Sequence, residues 1–566
     1  MTQTTGELSR NERIKEASTY LRGTIAEGLA APLTGSIVED DTQLTKFHGL
    51  YLQDDRDLRP ERRKKRMEPA FAFMARVRLP GGVCTPEQWL KLDRIATDYA
   101  NGTLRVTTRQ TFQYHGVIKQ NLRRALQGLD AACLDTLAAC GDVNRNVVAS
   151  SNTRASAVHR AAVELATAIS ADLLPKSRAY REIWLEGEKV TGDEPEDEPI
   201  YGRTYLPRKF KVVVAVPPDN DVDLFAHDLG FAAVTDGEGR LTGWNVTVGG
   251  GMGMTHGERQ TFPRLADVMA FCTPEQAVDV AEKVVLVQRD FGDRSDRKHA
   301  RLKYTIEDRG LAWFRAEVEK RLGYPLRDPV PVRFERTGDR YGWRQDDAGN
   351  WHFTLFIENG RIADRPGCAM RTGLRRIAEV HKGEFRMTPN QHVIIANVPA
   401  RQRKRIEALL EEHGITNGDR SGLRLNAMAC VALPTCGLAL AESERYLPTL
   451  IDALDEVLDE AGLREDEITI RMTGCPNGCA RPYVAEIGLV GRGPGTYNLY
   501  LGAAFDGTRL NKLYRQDVGH AAIVEALRPL LLRYAKEREP GERFGDFVIR
   551  AAVVKATRQG VDFHDA

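Results

Sequence analysis

The chain has 566 residues, 42% of them hydrophobic, with 80 lysines and arginines against 79 aspartates and glutamates and a net charge of +1. That length exceeds one compact core and predicts three or more domains, while the balanced charge disfavours nucleic acid or an acidic membrane as a general partner. No stretch reaches the length of a membrane-spanning helix and the first residues, MTQTTGELSRNERIKEAS, lack a secretory apolar segment, so a reducing cytoplasm is expected, with nine cysteines serving as thiols or metal ligands.

Residues 1–66 are polar and end in Arg59-Pro-Glu-Arg-Arg-Lys-Lys-Arg66, read as a solvated helix start in preference to a nucleic-acid patch. The strand-like run AFMARVRLP (72–80) puts Arg76 and Arg78 on one face, and a helical pattern covers Pro86 to Tyr99. LRVTTRQTFQYHG (104–116) alternates. As one strand it would align Arg105, Thr107, Arg109, Thr111, Gln113 and His115, a row of donors with two fixed positive charges and no acid. Arg145 follows in the polar turn Asp142–Asn146, then a helix from Ala155 to Leu174 and an acidic loop or hairpin tip, GDEPEDEP, at 192–199. KFKVVVAVPP (209–218) sets Lys209 and Lys211 at i and i+2, ahead of a run apolar enough for a buried strand. The later half repeats the mixture, with strand-like WHFTLFIENGRI (351–362) and VIIANV (393–398) and helices from Arg401 to Glu412 and Ser443 to Gly462. Any one basic pair reads as a solvated edge. Several of them in a nearly neutral chain suit a ligand with many carboxylates plus a small oxyanion, gripped bidentately by arginine and met as a point charge by lysine.

Two echoes join the halves. Arg105-Val-Thr107 recurs as Arg386-Met-Thr388 at an offset of 281, and Asn146-Val-Val-Ala-Ser150 as Asn426-Ala-Met-Ala-Cys430 at an offset of 280. A long offset of this kind indicates two related mixed α/β halves and not a short-period solenoid. Five cysteines (Cys84, Cys133, Cys140, Cys272, Cys368) are scattered and read as small buried hydrophobes. The other four form C-x5-C (Cys430, Cys436) and C-x3-C (Cys475, Cys479), with Pro434, Gly474, Pro476 and Gly478 allowing tight wrapping around a ligand. Four thiolates suit an iron–sulfur cubane. Zinc is the competing reading, although C-x5-C falls outside its usual knuckle, and four unconnected buried thiols are the plain one. Neither Val248–Gly253 nor Gly491–Gly495 completes G-x-G-x-x-G, and no P-loop is present, so no NADPH or flavin is expected on this chain and electrons must come from a partner.

TGCPNGC (473–479) with ACVALPTC (429–436) resembles the signature of the sirohaem-dependent nitrite and sulfite reductases. The resemblance runs on through RLPGGV (78–83), TRQTFQYHG (108–116), NRNVVASSN (144–152), YLPRKFK (205–211) and GDFVIRA (545–551). YLRGTIAEGL (20–29) and FHGLYLQDDRD (47–57) are similar to its NADPH-dependent assimilatory branch, in which a haemoprotein (beta) subunit is served by a flavoprotein (alpha) subunit carrying FAD and FMN. The resemblance implies an α+β fold of two pseudo-symmetric halves, each a ferredoxin-like half-domain plus a larger α/β domain. The expected division is 1–66 extension, 67–135 and 336–405 half-domains, 136–335 a domain without cluster ligands, and 406–566 the domain with them. It implies sirohaem and a [4Fe–4S] cluster held by Cys430, Cys436, Cys475 and Cys479, with Cys479 also the axial ligand of the sirohaem iron. Arg76, Arg145, Lys209 and Lys211 map to sulfite binding and proton delivery. Arg105, Thr107, Arg109, Thr111 and Gln113 map to sirohaem contacts, with Arg208, Gln391 and Asn477 beside them. Gly437 departs from the proline many members carry after the second cysteine. The expected function is six-electron reduction of sulfite to sulfide in a cytoplasmic hetero-oligomer, within sulfate assimilation and cysteine biosynthesis. The alternatives are a nitrite reductase, a ferredoxin-dependent enzyme, or a non-catalytic carrier.

Overall fold

The computed structural model describes residues 7–151, 156–176, 183–185, 188–191 and 197–564. Most of the acidic stretch from Gly192 lies outside the described residues.

Local chemistry sets several element ends. Helix Pro86–Tyr99 begins where Thr85 and Gln88 form a reciprocal capping box and Pro86 occupies the first turn. Helix Leu447–Ala461 ends on Gly462 in the left-handed region. It starts four residues later than the Ser443 expected, because the Ser443 hydroxyl donates to Met472 O at 2.8 Å and serves tertiary packing instead of a cap. The segment 104–116 is not one strand but a hairpin of Leu104–Val106 and Phe112–Val117, with Arg105 opposite Gln113. Its Thr-Thr-Arg-Gln-Thr centre has turn chemistry: Thr107 Oγ1 accepts from Arg109 N–H, Thr107 N–H donates to Thr111 O at 2.8 Å, and Gln110 adopts φ 52°.

Four five-stranded sheets form two related pairs. In the first large domain the order is Asp267–Cys272, Leu241–Val248, Leu229–Thr235, Val212–Ala215, Val148–Ala149; the second has Lys512–Val518, Thr496–Leu501, Ile487–Gly493, Ile470–Thr473, Ala427–Ala429. The three strands at one side pair in parallel and the remaining pairings are antiparallel in both. Register is conserved too: Leu229 faces Val212, and Ile487 faces Ile470, each shifted by 258 residues.

The ferredoxin-like sheets are laced together. Arg361–Ile362, from the second half, closes the first sheet beside Leu104–Val106, and Val83–Cys84, from the first half, closes the second beside Glu384–Met387. Leu50–Asp54, from the extension, forms the opposite edge of the first sheet by pairing with Phe71–Arg76. Both sheets share one hydrophobic core, whereas each large domain has its own. At the seam Trp89, 1% exposed, meets Phe112 at 5.5 Å and Phe385 at 4.4 Å, one ring from each half. Among the described residues, no helix is long and apolar enough to cross a membrane.

Candidate functional site

The four spaced cysteines come together at the carboxyl-terminal ends of Ala427–Ala429 and Ile470–Thr473. Gly474 pins the two loops. Its N–H donates to Cys430 Sγ at 3.3 Å, and its carbonyl accepts from Leu440 and Ala441. A Cβ there would stand 2.5 Å from Ala441 O and 2.6 Å from Ala432 Cβ, so glycine is required. N–H groups of Leu438 and Ala439 turn toward Cys436, and the backbone and side chain of Asn477 toward Cys475. Burial pushes the Cys475 thiol up to about 11, with Cys479 and Cys436 adding to it; burial and then Cys479 raise Cys430 and Cys436 likewise. The sulfurs therefore sense one another, yet among the described residues no three His, Cys, Asp or Glu side chains converge as a single-ion site. Arg56 backs the first loop, donating to Pro434 O and, at 2.7 Å, to Ala439 O.

A second group gathers basic residues from the first half: Lys209, Lys211, Arg208, Arg301, Arg109 and Arg145. Burial, then Arg208 and Arg301, brings Lys209 down to about 7; burial and then Lys209 hold Lys211 well below the ordinary lysine value. The Cys479 backbone is tied to the same region, its carbonyl accepting from the Thr108 hydroxyl at 3.2 Å. Both lysines are partly exposed. Arg109 is buried. Its Nη2 donates to Val212 O at 2.9 Å, but its Nε and Nη1 have no partner, and burial with Arg481 nearby lowers it to about 9. Arg145 donates to Gly141 O; burial opposes its charge, but Tyr51, Cys140 and Asp142 raise its pKa above the usual value. With its amide turned oxygen-inward, Gln113 accepts from Arg76 Nε at 3.1 Å.

Other predicted contacts are spent within the protein. Arg105 donates to Glu444 at 2.9 Å and to Ala429 O at 3.0 Å, so the acid missing from its own strand arrives from 339 residues away. Thr111 donates its hydroxyl to Val77 O, and Thr107 shapes its turn. Gln391 clamps Ala429 through Nε2 at 2.9 Å, just as Gln110 clamps Ala149. Arg208 faces Asp142 at 4.0 Å and is lowered by burial, then Arg297, to about 10. The scattered cysteines are not uniformly core: Cys84, Cys140 and Cys272 are buried, Cys368 is half-buried and Cys133 is exposed. Cys133 sits where the chain turns out of a helix with φ 54°.

The family model described as "Nitrite/Sulfite reductase ferredoxin-like half domain" matches residues 66–132 and 344–413, and "Nitrite and sulphite reductase 4Fe-4S domain" matches 165–326. The chain is 64% identical over 560 residues to the sulfite reductase [NADPH] hemoprotein beta-component of Methylobacterium nodulans, covering 99% of this chain and 93% of the relative. The chain belongs to the nitrite and sulfite reductase family. The corresponding protein of Geobacillus kaustophilus is 59% identical over 558 residues, covering 98% and 97%. The solved structure of Mycobacterium tuberculosis NirA protein superposes with a TM-score of 0.79 at 26% identity over 97% of each chain. The 4Fe-4S model matches a stretch of the first copy of the large domain, 165–326, that contains Cys272 alone of the chain's cysteines; the quartet lies in the second copy.

The residues present fit this family's sirohaem and [4Fe–4S] cluster. Buried Arg109 Nε and Nη1 have no partner, two donors that an anionic, carboxylate-rich group satisfies; neither ring nitrogen of His115, 3% exposed, has one, and burial keeps that imidazole neutral, with one N–H to give. N–H groups directed at buried sulfurs suit thiolate ligands. Arg297 and Arg301 were not singled out from sequence. Arg297 grips Asp142 at 2.8 and 3.0 Å, and Arg301 is bidentate on buried Asp228. The basic run Arg294–Lys303 was a legible signal for both.

Proposed function

We infer that this chain reduces sulfite to sulfide, using sirohaem coupled to a [4Fe–4S] cluster. The observation that carries the reading is Cys479, the last of the four spaced cysteines, whose carbonyl accepts from the Thr108 hydroxyl at 3.2 Å, next in the chain to the unpartnered buried donors of Arg109. When bound, the two cofactors supply an iron that takes the substrate's sulfur and a relay for single electrons. Conversion of sulfite to hydrosulfide consumes six electrons and seven protons and releases three waters. Arg76, Arg145, Lys209 and Lys211 hold the substrate oxygens and offset their charge. Lys209, with a pKa of about 7, gives up and regains a proton near neutrality, which suits repeated proton delivery. Arg109 and His115 would meet carboxylates of the haem, and Cys430, Cys436, Cys475 and Cys479 would hold the cluster, with Cys479 also serving the haem iron.

The relatives are named as beta-components, which points to a second component. We assign that role to a flavoprotein alpha subunit donating electrons from NADPH in a cytoplasmic hetero-oligomer. The test is a visible spectrum with iron and acid-labile sulfide analysis of the purified chain, followed by sulfite and nitrite turnover with a flavoprotein or ferredoxin donor. A sirohaem band, four labile sulfides per chain and faster sulfite turnover are expected; absence of the haem band, or preference for nitrite, overturns the reading.

A further inference from the structure

The two copies meet through residues that are each other's counterparts. Asp223 and Arg481 are related by the same 258-residue shift that relates the paired strands. Both adopt left-handed backbone, φ 50° and φ 53°, and both precede a short 3-10 turn, Leu224–Ala226 and Pro482–Val484. They bind one another, Arg481 Nε to Asp223 Oδ2 at 2.5 Å, with Asp223 2% and Arg481 3% exposed. The remaining donors of Arg481 reach Thr108 O at 3.3 Å and Pro389 O at 3.0 Å. Those carbonyls are themselves counterparts, at the centres of the two hairpin turns, so Arg481 ties both hairpins to one point. Asp223 is held from its other side by Arg471 at 2.6 Å and by the Thr337 hydroxyl at 3.0 Å. Arg481 stands two residues beyond Cys479, whose carbonyl accepts from the Thr108 hydroxyl at 3.2 Å.

We propose that Asp223 and Arg481 are positioning residues that set where Cys479 sits relative to Arg109, Lys209 and Lys211 of the opposite half. Cys479 itself is exposed, and its loop is glycine- and proline-rich, so a rigid buried anchor immediately downstream is what aligns the sulfur with the first-half cations. A guanidinium suits the task because its planar fork serves three acceptors in fixed directions, which an ammonium cannot. The role rests on the reading that Cys479 joins cluster and haem.

The test uses intact holoenzyme with reduced methyl viologen as donor, so that the identity of the natural donor does not enter. Wild-type turnover and a coupled cluster–haem magnetic spectrum are recorded first; their absence would overturn the functional reading and the positioning role with it. With both present, D223N and R481K are expected to retain iron and labile sulfide while kcat falls about 10- to 100-fold and KM for sulfite stays within about twofold. The coupled spectrum should shift or split, and amide exchange across 475–481 should accelerate. R471Q, which keeps the Asp223–Arg481 contact, should lower the melting temperature and leave the spectrum unchanged. If D223N does not accumulate as holoenzyme, R481K decides alone. Unaltered coupling and exchange in R481K overturn the proposal, as does an R471Q variant that matches R481K in every readout.

Discussion

The two large domains share strand order, pairing and register, yet they treat one corner differently. In the first, the Ser150 hydroxyl donates to Asp221 Oδ1 at 2.6 Å, Ser151 N–H donates to Asp221 Oδ2 at 2.8 Å, and Val216 N–H donates to Ser150 Oγ. The counterparts in the second are Cys430 and Cys479, which face one another and two further thiols. One corner closes on itself through neutral and charge-assisted hydrogen bonds; burial pushes the Asp221 carboxyl up to about 7 although its Ser150 and Ser151 partners pull it down. The other collects sulfurs that a cationic group must hold together. The comparison teaches that the sheet is only a platform. The side chains on two loops set the two corners apart; the first large domain adds Arg145, Lys209 and Lys211, and the hairpin of the first half-domain adds Arg109.

The comparison breaks most completely at Cys479. Cys479→Ser should uncouple the two cofactors and abolish six-electron turnover, read by the visible spectrum, labile sulfide and sulfide production; full activity would rule the bridge out. Trp89→Ala attacks the seam where the halves share one core and should cost about 3–5 kcal/mol in a denaturant titration. A loss under 1 kcal/mol, on the order of a surface change, would mean that the halves do not depend on that contact.

Lys209 sharpens the electrostatic side. Its folded pKa lies below its unfolded value, so its proton is lost as pH rises through about 7. KM for sulfite should therefore climb above that pH, by up to about tenfold per unit, and Lys209→Arg should flatten the climb because a guanidinium stays charged. A wild-type KM independent of pH from 6 to 9 would count against the lysine. Lys211→Asn removes one cation facing an oxyanion that carries more charge than nitrite, so relative turnover should shift toward nitrite; an unchanged ratio would sink that role. The smallest effect belongs to Ser150→Cys. Restoring one thiol to the first copy should leave iron content unchanged, because Asp221 still occupies the place of Cys479, and stability should move by no more than about 1.5 kcal/mol. Extra bound iron would show that the degenerate corner is closer to function than its hydrogen bonds suggest.

Short-range chemistry made much of this protein legible. Helix Pro86–Tyr99 was readable to the residue because Thr85, Pro86 and Gln88 lie within one turn of its start. The cysteine quartet was readable because its members come as two close pairs, and the duplication because Arg105 and Arg386 sit in matching strings. What escaped was whatever depends on a distant partner. Alternation could not distinguish a strand from a hairpin at 104–116, since Thr107, Arg109 and Thr111 keep the same period while the backbone reverses. Glu444, which neutralises Arg105, and Asp228, which holds Arg301, are unremarkable acids until the chain folds.

The sequence by itself determined the paired spacing of the four cysteines, the two-copy plan and the supply of basic residues, because those reside in side-chain identity and local spacing. Only the tertiary structure decided which cations remain unspent, how strands cross between the half-domains, and that Asp223 of one copy grips Arg481 of the other. These follow from burial and geometry at points hundreds of residues apart, where a charge stays available only if no other part of the chain reaches it first.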